Sequence, residues 1–322
     1  MKKGAIRFQL VLWGIVLFLL LCFAGFMMTK ADNGFGGFHL NIFSGGDPKY
    51  TLLDEAYDAQ GLSLMDVRMV SDTIEILAEG REDVQVTYLC SEDDMARCPI
   101  VTVENGAIVI ESPRNFRLIS LGRWPGRLTV RVPERLALGY KLSSTSGSLT
   151  VDGVRMTRAQ ISGVSGSIHL SPDLSSRASA IDVSNTSGSL RIAASADALH
   201  ASTVSGSVRA EGSFGTVDAS TTSGSVRINC WTAPSSVNLE SVSGSTRLTL
   251  PRDVAGFTLD TSSVSGKLHN DFGENPYGDR STVVRLHTVS GGMYVSPAES
   301  EDAEREDDDF PSDTSKGAQR SF

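Results

Sequence analysis

The 322-residue sequence has few of the residues that usually carry chemistry: 4 cysteines, 3 tryptophans and 5 histidines. No histidine pair has H-x-x-x-H spacing, and no cysteine pair has C-x-x-C spacing, so a zinc site is not expected. The sequence also lacks a P-loop and a dinucleotide fingerprint. We therefore expect no metal, no cofactor and no catalytic residue. The net charge of −9 disfavours nucleic acid as a partner.

The cysteines leave one question open. Cys90 and Cys98 flank a short polar stretch and could form a disulfide in an oxidising compartment. Two free thiols are the alternative. Cys230 has no evident partner, and Cys22 lies in an apolar run.

Charge is absent from Phe8 to Thr29, and about 20 such residues can span a bilayer as a helix. Lys2, Lys3 and Arg7 precede this run and favour a cytoplasmic N-terminus. The sequence thus predicts an anchor over residues 1–30, a single pass through the cell membrane and an extracytoplasmic C-terminal domain. A cleaved signal peptide is the alternative, although its apolar part is usually only about 7–15 residues long.

Two further segments flank the main domain. Residues 31–49 are rich in glycine and phenylalanine and indicate a linker after the anchor. Residues 297–322 contain nine acidic and three basic residues and almost no apolar ones. Such a composition is typical of a disordered tail.

What the sequence does contain is a repeat. A Ser-Gly phrase occurs eight times between Thr145 and Val295, at intervals of 19, 22, 18, 18, 20, 22 and 25 residues. These intervals suit one coil of a β-solenoid. The repeated glycines are Gly147, Gly166, Gly188, Gly206, Gly224, Gly244, Gly266 and Gly291.

Apolar residues recur at fixed distances from the glycines, at seven and five residues before and at two and four after, and the exceptions are Thr246, Thr261 and Asn270. This alternation indicates two strands per unit, each with one buried face. Ile192 and Val226 are inward by this rule, whereas Arg191 and Asp218 are outward. We expect an all-β fold, a single-stranded, right-handed β-helix of about 18–25 residues per coil.

Residues 50–140 lack the Ser-Gly phrase but contain short, alternating or β-branched segments, such as 73–76 and 84–88. We interpret them as irregular first coils of one domain over residues 50–296, with the regular repeats at 141–296. The seventh and eighth phrases depart from the pattern, as is common near the end of a repeat array; they read Val264-Ser265-Gly266-Lys267 and Val289-Ser290-Gly291-Gly292.

The glycines and serines of the phrase allow two interpretations. A corner glycine supplies a positive φ or permits close backbone approach, and serines are ordinary turn residues. Alternatively, the stacked serines form a strip that binds a glycan or an ion. The structural interpretation is favoured because tight β-turns need these residues in any case.

These patterns resemble a bacterial family of β-strand-repeat domains of unknown function that are labelled putative adhesins. The resemblance covers roughly residues 50–296. It depends on a strand ending in Pro133 or Pro251, followed by an alternating strand and a Ser-Gly corner. It implies a β-helix outside a cell membrane, with no established catalytic residues.

Three functions remain open at this point. The first is a membrane-tethered, adhesin-like protein that binds or scaffolds an envelope polymer, glycan or membrane protein without catalysis. The second is an accessory or sensory subunit of an envelope-stress system. The third is a polysaccharide-acting enzyme, which would need paired carboxylates on one face. The outward acids Asp182, Asp218, Glu240 and Asp260 are spread over successive coils and show no obvious pairing.

Overall fold

The computed structural model describes residues 50–90, 97–113, 126–273 and 275–298. These residues form 22 β-strands and no α-helix. The first eleven strands are β1 (Tyr50–Asp58), β2 (Leu64–Met69), β3 (Thr73–Glu79), β4 (Asp83–Cys90), β5 (Ile100–Glu104), β6 (Ala107–Glu111), β7 (Arg127–Pro133), β8 (Ala137–Ser146), β9 (Leu149–Asp152), β10 (Arg155–Ser165) and β11 (Ile168–Ser171). The others are β12 (Arg177–Ser187), β13 (Leu190–Ser205), β14 (Val208–Ser223), β15 (Val226–Cys230), β16 (Ser236–Ser243), β17 (Thr246–Leu250), β18 (Gly256–Ser265), β19 (Leu268–Asn270), β20 (Tyr277–Gly278), β21 (Thr282–Ser290) and β22 (Met293–Pro297).

The strands form two parallel stacks on either side of the Ser-Gly corners. The pre-corner stack has the order β6–β2–β8–β10–β12–β13–β14–β16–β21–β18. The post-corner stack has the order β7–β3–β9–β11–β13–β14–β15–β17–β22–β19. β13 and β14 belong to both stacks, because intervals of 18 residues leave no room for a loop between one coil and the next. This architecture is the solenoid-like, all-β fold that the repeat predicts.

The order of the coils differs from simple succession at both ends. The coil of Gly291 lies between those of Gly244 and Gly266, since β21 pairs with both β16 and β18. Near the N-terminus, β2 likewise lies between β6 and β8. Stepping past one level requires only about 10 Å, which about three extended residues span. The intervals of 22 and 25 residues around Gly266 are therefore ample.

The apolar core follows the four predicted inward positions in every coil except the seventh. Tyr140, Leu199, Ile192 and Val226 are all at most 2 % exposed. In the seventh unit, Leu268 is 40 % exposed, and three of its four inward positions are not buried, namely Thr261, Leu268 and Asn270. The burial expected there is wrong because this coil is the outermost one and packs against a single neighbour.

The structure leaves several expectations untested. The anchor over 1–30 and the linker over 31–49 lie outside the described residues, as does the tail from residue 299 onward. Pro297, which the sequence assigns to the tail, is the last residue of β22. Within the described ranges, no helix is long and apolar enough to span a bilayer.

Candidate binding surface

The corner glycines lie directly above one another along the array. Seven of the eight have φ between 110° and 148°, a region that other residues rarely adopt. A Cβ on Gly206 would overlap the carbonyl oxygen of Gly188, and one on Gly224 would overlap that of Gly206. Gly266 has no positive φ, but a Cβ there would overlap the carbonyl oxygen of Gly291. The glycines are therefore needed for close stacking of the backbone.

A buried polar row accompanies the glycines and has no counterpart in the apolar pattern. The residue three before most corner glycines donates a hydrogen bond to the glycine carbonyl of the preceding level. The distances are 2.6 Å for Asn185, 3.3 Å for Thr203, 2.9 Å for Thr221, 3.0 Å for Ser241 and 3.2 Å for Thr288. The sequence signal is a Ser, Thr or Asn at this position in seven of the eight units. These side chains hold the corners together and are not available to a ligand.

The serines next to the glycines have the opposite orientation. Ser205, Ser207, Ser223 and Ser225 are all exposed. The backbone carbonyl of Ser223 accepts a hydrogen bond of 2.9 Å from the Gly206 amide, whereas the Ser207 hydroxyl accepts only a long one, of 3.5 Å, from the Ser225 amide. The alternative interpretation, in which the serine hydroxyls form a strip that binds a glycan or an ion, stays untested.

An open polar groove of about 360 Å³ runs across the outer face of the pre-corner stack. Asp182, His200 and Asp218 line it on three consecutive coils, in register. Asp182 lies 3.5 Å from Arg158, and His200 Nδ1 lies 3.7 Å from Asp218. The groove presents hydrogen-bonding groups at every level, which suits a polyhydroxylated or polymeric ligand.

The same groove does not have the arrangement of a glycosidase site. Asp182 and Asp218 are two coils apart, and their side chains are 37 % and 52 % exposed. Neither has the apolar enclosure that keeps a catalytic carboxylic acid protonated. Over the described residues, no cluster of histidine, cysteine and carboxylate side chains could hold a metal ion.

A serine–histidine pair appears where the coil order changes. Ser262 Oγ lies 2.6 Å from His287 Nδ1, and Glu240 is in register with His287 on the next coil. The Glu240 carboxylate instead accepts a hydrogen bond of 3.2 Å from Asn238. Ser262 and His287 belong to consecutive units, so simple succession also makes them neighbours. The register of Glu240 with His287 could not be predicted in this way, because it joins the sixth and eighth units. The pair lacks an orienting carboxylate among the described residues, which a nucleophile–base pair would need.

The outer face of the post-corner stack has a different character. Four arginines, Arg191, Arg209, Arg227 and Arg247, occupy the same position on consecutive coils. All four are exposed. The outer surface therefore has a side of mixed charge, where Asp182 pairs with Arg158, and a basic row on the other stack.

Cys90 and Cys98, for which the sequence leaves both a disulfide and two free thiols open, are not bonded in the structure. Cys90, Cys98 and Cys230 are free thiols within the described ranges. Cys98 Sγ is 3.6 Å from the carbonyl oxygen of Leu52, and burial raises the pKa of its thiol. Burial raises the pKa of the Cys230 thiol further, to about 12. Neither is in the electropositive setting of a reactive cysteine.

Comparison with known proteins gives a family and several distant structures. The family model described as Toastrack DUF4097 matches residues 63–296. The chain is similar to the structure of a putative adhesin from Parabacteroides distasonis, with 12% identity and a TM-score of 0.47, covering 79% of this chain and 98% of that one. It is similar to a putative adhesin from Bacteroides fragilis, with 13% identity, a TM-score of 0.40 and coverage of 76% and 96%. A putative lipid binding protein from Parabacteroides distasonis has 12% identity, a TM-score of 0.42 and coverage of 74% and 94%. No curated protein sequence matches the chain.

Proposed function

We propose, from the premise that this chain belongs to the Toastrack DUF4097 family, that it is a non-catalytic binding or scaffolding protein of the cell envelope. Its repeat domain lies outside the cytoplasm and its N-terminal segment tethers it to the membrane. The partner is an envelope component with a repeating structure, such as a wall polymer or glycan.

The observation that carries this proposal is the periodicity of the outer surface. Equivalent outward side chains on successive coils recur about every 4.8 Å. The Asp182–His200–Asp218 row and the arginine row both run in register over consecutive levels. Such rows offer the same contact several times along one direction, which favours a ligand that also repeats.

The arrangement of reactive groups favours binding over catalysis. The carboxylates of the groove are half-buried at Asp182 and exposed at Asp218, one coil separates them, and His287 has no ion pair among the described residues. A hydrolase needs an acid and a nucleophile or base that converge on one bond. The polar groups of this surface are distributed along the array.

The tether is supported by the uncharged run from Phe8 to Thr29 and by the basic residues before it. Protease added to intact protoplasts that carry the full-length protein should degrade the repeat domain, while a cytoplasmic marker stays intact. Full protection would contradict the extracytoplasmic location. Release of a mature protein whose new N-terminus lies near Thr29 would favour the cleaved signal peptide.

The partner can be sought with the full-length protein in its native membrane. A photocrosslinker at Asp218, in the groove, should capture an envelope polymer or glycan. A second crosslinker at Asn229, beside Arg227 on the outer face of the post-corner stack, shows whether the polymer lies on that face instead. Capture of one membrane regulatory protein, with no polymer, would favour the sensory subunit and contradict the binding proposal.

A further inference from the structure

Four guanidinium groups form a line on the post-corner stack. Arg191 is in register with Arg209, Arg209 with Arg227, and Arg227 with Arg247. Parallel strands are about 4.8 Å apart, so the line covers about 14 Å. We call these four residues the arginine row.

Ion pairs do not neutralise the row within the described part of the chain. None of its members takes part in an ion pair there, whereas Arg158 and Arg177 on the pre-corner stack lie 3.5 and 2.6 Å from Asp182 and Asp197. Burial, together with the charges of Arg209 and Arg247, lowers the pKa of Arg227. Like charges on neighbouring strands destabilise a sheet. The row therefore costs folding free energy, in a protein whose net charge is −9.

Residues beside the arginine row add further groups that attract anions, and one carboxylate limits the width of the surface that an anion can contact. Arg247 stacks over the ring of Tyr294, with its guanidinium carbon 5.0 Å from the ring centroid. His169 is in register with Arg191 at the other end. Glu211 is exposed and follows Arg209 by two residues on the same strand. A broad anionic surface would meet this carboxylate, whereas a thin chain lying along the row would not.

We propose that the arginine row binds a linear polymer that carries phosphate groups along its backbone. Guanidinium groups match phosphate oxygens with paired hydrogen bonds. A single phosphate reaches at most two neighbouring arginines, but a linear polyphosphate or polyphosphodiester can follow all four and relieve their mutual repulsion. Such a polymer would be the envelope component of the proposed function, on which this ligand assignment rests.

The test uses full-length protein in a neutral detergent and linear inorganic polyphosphate as the probe, with binding measured over a range of salt concentrations. The double variant R209Q/R227Q should bind more than about tenfold more weakly and lower the salt dependence (the slope of log K against log salt) by about 2. The matched control R158Q/R177Q removes the same charge from the other stack and should stay within about twofold of the wild type. Without ligand at low salt, R209Q/R227Q should melt at the same or a higher temperature than the wild type.

Several results would overturn the proposal. One is no binding of polyphosphate by the wild type, and another is an equal loss in the two double variants. Binding to phosphatidylglycerol vesicles without binding to polyphosphate would assign the row to a lipid surface. If only a chain lacking residues 299–322 bound polyphosphate, the acidic tail would be the occupant. All these measurements use purified protein, so a failure here differs from a failure of the topology or crosslinking experiments.

Discussion

At both ends of the array one coil is out of sequence order, but the outermost coils of the two ends are covered differently. At the N-terminal end, the outermost coil (β6 and β7) is covered by the antiparallel strands β5 and β4, and β1 extends the sheet beyond β4. At the C-terminal end, the outermost coil (β18 and β19) gains only the two-residue strand β20. Equivalent residues report the difference, since Leu128 is fully buried and Leu268 is 40 % exposed.

The two ends of the array also differ in the side chains that close the interior. Near the N-terminus, Asp72 takes the place of a corner glycine and is buried. It accepts hydrogen bonds from Tyr88, at 3.1 Å, and from the Gly126 amide, at 2.8 Å, and lies 3.6 Å from Arg97. At the other end, the interior is closed by three aromatic rings, with Phe257 5.0 Å from Phe272 and 5.4 Å from Tyr277.

This difference shows that a stacked array does not need the same closure at both ends. A coil that contacts a neighbouring coil on only one side keeps its backbone hydrogen bonds, but its inward side chains are partly exposed. In quasi-one-dimensional proteins the terminal repeats have the lowest local stability. We therefore expect opening to begin at β18 and β19, while the N-terminal end remains closed.

The largest difference between the two ends is expected when a charged residue replaces the equivalent leucine at each end. Leu128→Asp would bury an unpaired carboxylate and should lower the free energy of unfolding by about 3–5 kcal/mol. Leu268→Asp lies on an exposed site and should change it by no more than about 0.5 kcal/mol. Denaturant unfolding of the two full-length variants measures this, and similar losses would mean that the two ends are equally closed.

A smaller change tests the polar closure. Tyr88→Phe removes one hydrogen bond to a buried carboxylate and should cost about 1.5–3 kcal/mol. Tyr277→Phe is the matched control, because its hydroxyl has no hydrogen bond within the described residues, and it should be nearly neutral. Thermal unfolding compares the two. A neutral Tyr88→Phe would show that Arg97 and Gly126 suffice for Asp72.

Much of this architecture could be predicted from the sequence, because period-two burial and the Ser-Gly interval are local signals. The inward positions, such as Ile192 and Val226, and the outward Arg191 follow directly from them. The order of the coils could not be predicted, because every coil offers the same corner and the same apolar face to a neighbour. That ambiguity hid the register of Glu240 with His287, which joins the sixth and eighth units.

The arginine row shows a second limit of sequence analysis. The rule that makes Arg191 outward applies to all four members, which lie three residues after their corner glycines, and all four are exposed. Whether they can bind an anion depends on whether carboxylates pair with them, and such pairing cannot be predicted from the sequence. The described structure adds that no carboxylate pairs with them, whereas Arg177 has Asp197.

The smallest expected effects concern the buried polar residues three positions before the corner glycines. These effects should differ between the central coils and the two ends. Thr221 Oγ1 donates to the Gly206 carbonyl at 2.9 Å, so Thr221→Val should cost about 1 kcal/mol. Ser144 and Ser263 occupy the same position near the two ends, and within the described residues neither buried hydroxyl has a partner. Ser144→Ala and Ser263→Ala should therefore be neutral or slightly stabilising, since each removes an unsatisfied polar group. Hydrogen exchange of the full-length variants would resolve these differences level by level. A loss at Ser263→Ala as large as that at Thr221→Val would mean that the outermost coil is held by the same corner hydrogen bond as the central ones.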